Sequence, residues 1–570
     1  MSIPYNGQEF TFHNPNGSQI KVRGWGDQSA AVFETLDGYT VVKDPRSGFY
    51  HYATLSADRE DLVPIGIPVG RAAPETLGLP QNIRIPGAAA RARAQAAHDD
   101  LGGQRRWEVR RERKRAQLRA VADADKARPD AAPPPAGTTG DYVGLCLLVQ
   151  FPDVPGTITQ AQVEDFCNQP GYTGFGNNGS VSDYFEAVSD RKLRYTNRVT
   201  AYYTTQHARA HYTDPSIPYR TRAQELIAEA LDALRAGGFD FSVLSSDGGG
   251  FVYALNVFYA GAGVNNWAEG LWPHSWGLAT TYTASPTKTF SDYQITDMGT
   301  QLTLRTFCHE NGHMICDFPD LYDTGYESLG IGDYCLMCYG GSDTNPTQVG
   351  AYLKNAAGWT SKMTTLSPGM TATVAAGIND FLIHPRSATE YFILENRQQS
   401  GRDTALPDAG LAIWHVDHLG SNSNEQMTPS QHYECTLEQA DNRSDLERKA
   451  NLGDVTDLYG GPSALGFGAD TSPNSNWWDG NTSGLEIEQI SAPGATMTFK
   501  VRHPVAVGQL KQVLSGGDGV IYAVAGNGDL LWYRHDGRHD GSFVWAEGSP
   551  KKVGVGWGGL RTVFSPAATG

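Results

Sequence analysis

No stretch of the 570 residues approaches the roughly 18 consecutive apolar residues that a membrane-spanning helix needs. A membrane span is therefore not expected. Cysteine is scarce and odd in number: Cys146, Cys167, Cys308, Cys316, Cys335, Cys338 and Cys435. Nothing before Cys146 can form a disulfide or offer a thiol to a metal. Positive charge is outweighed, with 45 Lys and Arg against 62 Asp and Glu and a net charge of -17, which argues against nucleic acid as a partner. The opening Met1-Ser2-Ile3-Pro4 lacks the apolar core of a signal peptide. A removed leader, another export route and an intracellular protein all stay open on that ground.

What is present fits a multidomain globular protein. Hydrophobic residues make up 40%, enough for a sizeable core, and 65 glycines with 26 tyrosines and 12 tryptophans point to much sheet and many turns. An acidic exterior is compatible with a structural Ca2+, although charge alone does not establish one.

The most informative stretch is His309-Glu310-Asn311-Gly312-His313. On a helix, positions i and i+4 share a face, so two imidazoles can grip one metal ion. Glu310, beside the first histidine, is placed to act as general base on a water held by that metal. Leu304, Phe307, Cys308 and Ile315 supply an apolar stripe for a helix, and Pro319 is expected to end it. Catalytic zinc needs a third protein ligand and an open position. Asp317, Asp320, Asp323 and Glu327 crowd the segment just downstream. Met337, in a Gly-rich stretch after this helix, resembles the methionine turn of one class of zinc peptidases. Cys335 and Cys338 form C-x-x-C, but no second such pair supports a structural zinc. Buried thiols, or a local disulfide to Cys308 or Cys316, are the expected alternatives.

From His309 to Trp359 the chain resembles the immune-inhibitor-A-like metallopeptidases, secreted bacterial zinc proteases. The residues that carry this are H-E-N-G-H-M-I-C, P-D-L-Y-D, D-Y-C-L-M and A-Y-L-K-N-A-A-G-W. Later matches are Glu395-Asn396-Arg397, Gly410 through Asp417, and Pro473 through Gly480, so that the likeness covers roughly residues 4 to 502. One departure stands out. Many members read H-x-x-G-x-P-D after the second histidine, and here one more residue separates His313 from Asp320. The metal-ligand register of the related peptidases falls on Pro319, which cannot bind. Asp320 is the expected third ligand, with Asp323, Glu327 and Glu395 as alternatives. The resemblance also implies an extracellular location.

The expected fold class is α+β and multidomain. Residues 1–86 show strand-like alternation (Glu9–Phe12, Ile20–Arg23, Val32–Thr35, Tyr39–Val42) between turn signals such as Asn16-Gly17 and Asp37-Gly38. They resemble the propeptide of that family, a β-rich prodomain. Lacking cysteine, it would have to block the site through a carboxylate or a steric plug. Residues 87–140 are rich in alanine and arginine and end in a proline-rich stretch from Pro129 to Gly140. A solvated basic helix lying on an acidic catalytic domain, followed by a cleavable linker, is expected there. Residues 141–360 begin with an apolar strand at Tyr142–Phe151, continue through helices near Asp183 and at Arg220–Arg235 and a strand at Phe251–Phe258, and form the zincin-like mixed α/β upper part. Residues 361–504 turn to strands and form a β-rich lower part, where His415 and Asp417 either face the cleft or pair structurally. Residues 505–570 resemble a blade of the tachylectin-type sugar-binding propellers, on Trp532-Tyr533 and Gly556-Trp557-Gly558. Leu510–Ser515 recurs as Leu560–Ser565. One such blade cannot bury its faces alone.

Two functions follow. The first is a zinc-dependent endopeptidase made as a zymogen, with catalytic Glu310, metal ligands His309, His313 and Asp320, and protein or peptide substrates. The second is a catalytically weak carbohydrate- or surface-binding protein on a peptidase scaffold, its blade completed by other copies. The intact His-Glu-His set favours the first.

Overall fold

A computed structural model describes residues 3–100, 105–124, 137–423, 427–461, 464–502, 510–526, 528–539, 545–546 and 549–559. At 22% helix and 33% strand, spread over several sheets, the chain is mixed α/β as expected.

The N-terminal unit is one antiparallel sheet whose strands follow each other in chain order: β1 (Tyr5–His13), β2 (Gln19–Gly26), β3 (Ala31–Thr35), β4 (Thr40–Lys43), β5 (Tyr50–Leu55) and β6 (Leu62–Pro68). The turn glycines Gly17 and Gly38 both have positive φ, as tight reversals between adjacent strands demand. Period-2 alternation puts Tyr5, Phe12, Val22, Phe33, Val41 and Tyr52 on a buried face. Trp267, from far along the chain, packs against it. Two helices follow, α1 (Gly87–Asp100) and α2 (Arg106–Ala124).

The next unit is a five-stranded sheet of order β10-β11-β9-β7-β8, formed by β7 (Gly140–Gln150), β8 (Leu193–Thr204), β9 (Leu255–Tyr259), β10 (His274–Ser285) and β11 (Lys288–Asp297). All pairs are parallel except the edge hairpin β10/β11. The apolar run in β7 has a physical cause: both faces are covered. Leu145, Leu147 and Val149 pack towards the long helix α6 (Tyr219–Ala236), which follows the short α5 (Arg209–Tyr212). Cys146 and Leu148 face α3 (Gln160–Asn168), α4 (Val181–Val188) and α7 (Leu304–Cys316). Capping boxes on Thr159 and Ser180 start α3 and α4.

That second core runs on, past α8 (Ala351–Ala356), into one face of another sheet. Its order is β12-β14-β15-β16-β17, from β12 (Lys362–Thr365), β14 (Asp380–Pro385), β15 (Glu390–Arg397), β16 (Gly410–Asp417) and β17 (Cys435–Leu437). Residues either side of 360 thus share one core. The opposite face, with Phe392, Leu394 and Ile413, packs on a three-stranded sheet of β13 (Thr371–Ala375), β18 (Ile487–Glu488) and β19 (Thr496–Val501). A last antiparallel sheet holds β20 (Leu510–Gly517), β21 (Val520–Ala525), β22 (Leu530–Arg534) and β23 (Lys551–Gly554). The repeat at Leu560–Ser565 and most of the proline-rich linker lie outside the described residues. No described helix is long and apolar enough to cross a membrane. All seven cysteines are buried free thiols, so no disulfide joins Cys335 or Cys338 to Cys308 or Cys316.

Candidate metal centre

The centre is built on α7, which is buried from Phe307 to its end. A buried polar network holds this helix on the sheet. The Asn311 side-chain amide donates to Asn256 Oδ1 on β9 at 2.9 Å, and Tyr195 on β8 donates its hydroxyl proton to Asn311 Oδ1 at 2.7 Å. Gly312 is required by close approach, because a Cβ there would lie 2.9 Å from Met337 Sδ. Met337 thus runs directly beneath the helix.

The helix ends before Pro319. Asp317 adopts a left-handed conformation (φ 58°), its N–H bonds back to His313 O at 3.0 Å and that of Phe318 to Gly312 O at 3.2 Å. Aspartate tolerates this conformation better than most residues. The reversal carries Asp320 back under the helix. The Leu321 N–H donates to Met337 O at 2.7 Å, which fastens the returning segment to the methionine turn.

The ligating atoms then converge. His309 Nε2 and His313 Nε2 are 3.1 Å apart, and Asp320 Oδ1 is 3.1 Å from the first and 3.2 Å from the second. A tetrahedral zinc with bonds of about 2.0–2.1 Å separates its ligand atoms by about 3.3 Å, so the triangle fits one ion with a free apex. The tautomers agree. His309 Nδ1 bonds Leu336 O at 3.0 Å and His313 Nδ1 bonds Phe318 O at 2.6 Å. Carbonyls only accept, so both protons sit on Nδ1 and both Nε2 lone pairs face inward. Asp320 Oδ1 is buried without a donor, as is Glu310 Oε1. With both imidazoles neutral, three acceptors face one another with no proton among them, an arrangement that calls for a cation, which is a proton where no metal ion is bound. Burial alone would raise the Asp320 carboxyl, yet the His313 and His309 imidazoles outweigh it and hold the group well below the usual carboxylate range. Burial alone would lower His309, and the Asp320 carboxylate reverses that direction.

The other acids are engaged elsewhere. Asp323 accepts from the N–H groups of Gly325, Glu327 and Ser328. Glu327 pairs with Arg91 of α1. Glu395 accepts from the Ala351 N–H and from Trp414 Nε1. His415 lies between Glu390 and Glu438, and Asp417 pairs with His432, so both belong to a separate cluster.

Comparison with protein-family models and with curated proteins finds no match for this chain.

The basic segment is solvated on one side only: Glu112, Arg113, Ala116, Gln117 and Arg119 are exposed, while the opposite side meets acidic groups of the body. α2 lies on the metal helix and closes over the site. The Trp107 indole stacks on the His313 ring, with centroids 4.6 Å apart and planes at 21°. Asp292 of β11 accepts the N–H groups of Arg106 and Trp107 at 2.7 and 3.0 Å, which caps the first turn of α2. Arg106 reaches Asp247 at 2.9 Å, Arg110 reaches Asp317 at 2.8 Å and Met314 O at 2.7 Å, and Lys114 reaches Asp317 at 2.8 Å. Arg111 pairs with the buried Glu434. Arg105 lies between the faces of Trp107 and Trp276. The β-sheet unit also docks: Asp27 accepts the hydroxyls of Tyr322 at 3.0 Å and Tyr326 at 2.6 Å, just past Asp320. The partner acids of α2 are far apart in sequence, and only the density of arginine there hinted at them.

Two further groups bring potential ligand atoms within 4.8 Å of one another among the described residues: His207, His211 and Glu225, and Asp441, Asp454 and Asp457. The second offers only oxygen, and Arg443 sits 2.8 Å from Asp441.

Proposed function

We propose that the chain is a zinc-dependent endopeptidase made as a zymogen, of the kind its motifs resemble. The observation that carries this is the inward-facing triangle of His309 Nε2, His313 Nε2 and Asp320 Oδ1 beside the unpartnered Glu310 carboxylate. A zinc ion held by these three residues supplies a Lewis acid that polarises a scissile carbonyl and acidifies water. The chain's own residues do the rest. The Leu336 and Phe318 carbonyls fix both imidazoles in the ligating tautomer. Glu310 Oε1, free of any donor, accepts the proton of the attacking water and returns it to the leaving amine. Met337 under Gly312 keeps the helix and the Asp320 segment in register.

The N-terminal segment supports latency. Trp107 covers one ligand ring, and six basic side chains between Arg105 and Arg115 bind or stack on the body around it. Of the two blocks open to a segment without cysteine, a carboxylate or a steric plug, the stacking of Trp107 on His313 supports the plug. The four strands β20 to β23 have the strand number of a propeller blade, and we keep that resemblance as the origin of the last segment.

Metal analysis of the purified chain together with casein cleavage, before and after limited proteolysis, tests the proposal. Stoichiometric zinc with activity only after cutting is expected. A chain without zinc affinity, or with zinc and no peptidase activity after cutting, would overturn it.

A further inference from the structure

The plug is chemically specific. Residues 105–115 carry seven basic side chains, Arg105, Arg106, Arg110, Arg111, Arg113, Lys114 and Arg115, against two acidic ones, Glu108 and Glu112. Four of them, Arg106, Arg110, Arg111 and Lys114, pair with carboxylates of the body, and two of those carboxylates line pockets beside the site. Glu434 lines, with His313 and Asp320, the cavity of about 920 Å³ that holds the metal centre. Asp317 and Glu434 together line a smaller pocket directly under Arg111 and Lys114. Arg110 and Arg111 stand three and four residues from Trp107, one helical turn or about 5 Å along the axis. The two carboxylates therefore bind the turn of α2 that follows Trp107, whose indole covers the His313 ring.

Once the plug leaves, Glu434 loses Arg111, its ion-pair partner, together with the nearby Arg115. It retains the Tyr352 hydroxyl, and the nearest imidazole nitrogen, His418 Nδ1, is 3.9 Å away. In the intact chain burial, with Arg111 and Arg115 adding to it, holds His418 down at about 4. A recessed carboxylate with no counter-charge is costly and attracts a cation from solution. Asp317 loses both Arg110 and Lys114 at the same moment.

Resting on the peptidase reading above, we infer that Glu434 and Asp317 form a subsite for arginine and lysine side chains next to the scissile bond, which the basic helix fills in the intact chain. The substrates are basic peptide segments, and the plug is displaced by what it imitates in charge.

The test uses the full-length chain, nicked by trypsin and then treated with a serine-protease inhibitor, with Glu310→Gln carried through as the blank. Two quenched fluorescent peptides differ only in arginine or glutamine beside the cleaved bond. The arginine peptide should be cut with roughly tenfold or greater kcat/KM, the scale of one charge-assisted bond. Glu434→Gln should collapse that ratio, taken as the quotient of the two kcat/KM values in one preparation so that any general loss cancels, and Asp317→Asn should lower it. A measurement without any substitution stands beside these: a peptide of the 105–115 sequence should inhibit casein cleavage by the wild type better than its arginine-to-glutamine counterpart. Equal cleavage of both peptides, or equal inhibition by both, with casein still cleaved, overturns the subsite. Loss of casein cleavage altogether would instead overturn the peptidase reading.

Discussion

The indole of Trp107 lies face to face with the imidazole of His313, 4.6 Å between centroids, while the opposite requirement on that ring is met by the Phe318 carbonyl at Nδ1. A residue of the N-terminal segment and a proposed metal ligand thus share one buried stack. Trp107→Ala should loosen the plug without touching the ligand set. Burial of an indole is worth a few kcal/mol, so the uncut variant should show basal peptide cleavage roughly tenfold or more above the uncut wild type. An uncut variant as silent as the wild type would show that this stack does not hold the site closed.

Glu310→Gln should abolish cleavage and keep zinc. Its Oε1 is buried without a donor on the helix that carries both histidines, the position of a proton carrier. A loss of about two to four decades in rate is expected. Metal analysis of the same preparation separates the roles, since simultaneous loss of zinc would make Glu310 a ligand.

Asp320→Ala should release zinc on dialysis, and Asp317→Ala should not. Asp320 Oδ1 stands 3.1 and 3.2 Å from the two Nε2 atoms, whereas both Asp317 oxygens are taken by Arg110 and Lys114. Asp317→Ala should loosen α2 instead, which raises basal activity of the uncut chain. Equal zinc retention in both variants would move the third ligand elsewhere.

How much of this was legible follows from which forces are local. The apolar stripe and the i, i+4 histidines of α7 are local, and the helix appears over Leu304–Cys316 as its pattern implies. The choice among four acids was not local. It depends on Asp317 taking a left-handed conformation two residues before Pro319, a state that any of several polar residues adopts and no pattern announces. The strands of the first sheet were readable because one face of each is buried and the turns carry glycine. α2 was readable as a helix, but not the burial of Trp107 or the pairing of its basic side chains with particular acids. Its arginines look like a solvated face, and their partners Asp247, Asp292, Asp317 and Glu434 are brought together only by the sheets. The Asn311–Asn256–Tyr195 network escaped notice for the same reason.

The Arg111–Glu434 pair gives the intact chain a pH signature. Burial raises the Glu434 carboxyl, but Arg111, with Arg115 and His418, outweighs it and holds the group below its ordinary 4.5. A depressed carboxyl contributes stability above its ordinary value and loses it as the pH falls through the depressed one. Arg111→Ala should therefore lower the melting temperature at neutral pH, and the gap to wild type should narrow as the pH is taken well below 4.5. A gap that stays constant over that range would show that the pair carries no net electrostatic stability.

Activation should begin beyond the plugged turns. Trypsin needs an exposed, flexible basic residue. Arg106, Arg110, Arg111 and Arg115 each contact the body through their guanidinium groups, and Arg105 is held between two indoles. Arg113 and Arg119 are exposed on α2. The first cuts should therefore fall at Arg119 or in the segment between it and Gly140, with Arg113 next and Arg105 to Arg111 last. Activity should rise in proportion to loss of the intact band, and cleavage should then spread back towards Arg113 as the freed helix frays. Thiol reagents alone should not activate the chain, because no cysteine precedes Cys146. N-terminal sequencing of the fragments over a digestion time course reads out the order. First cuts at Arg110 or Arg111, inside residues 142 to 500, or full activity of the uncut chain would each remove α2 as the plug.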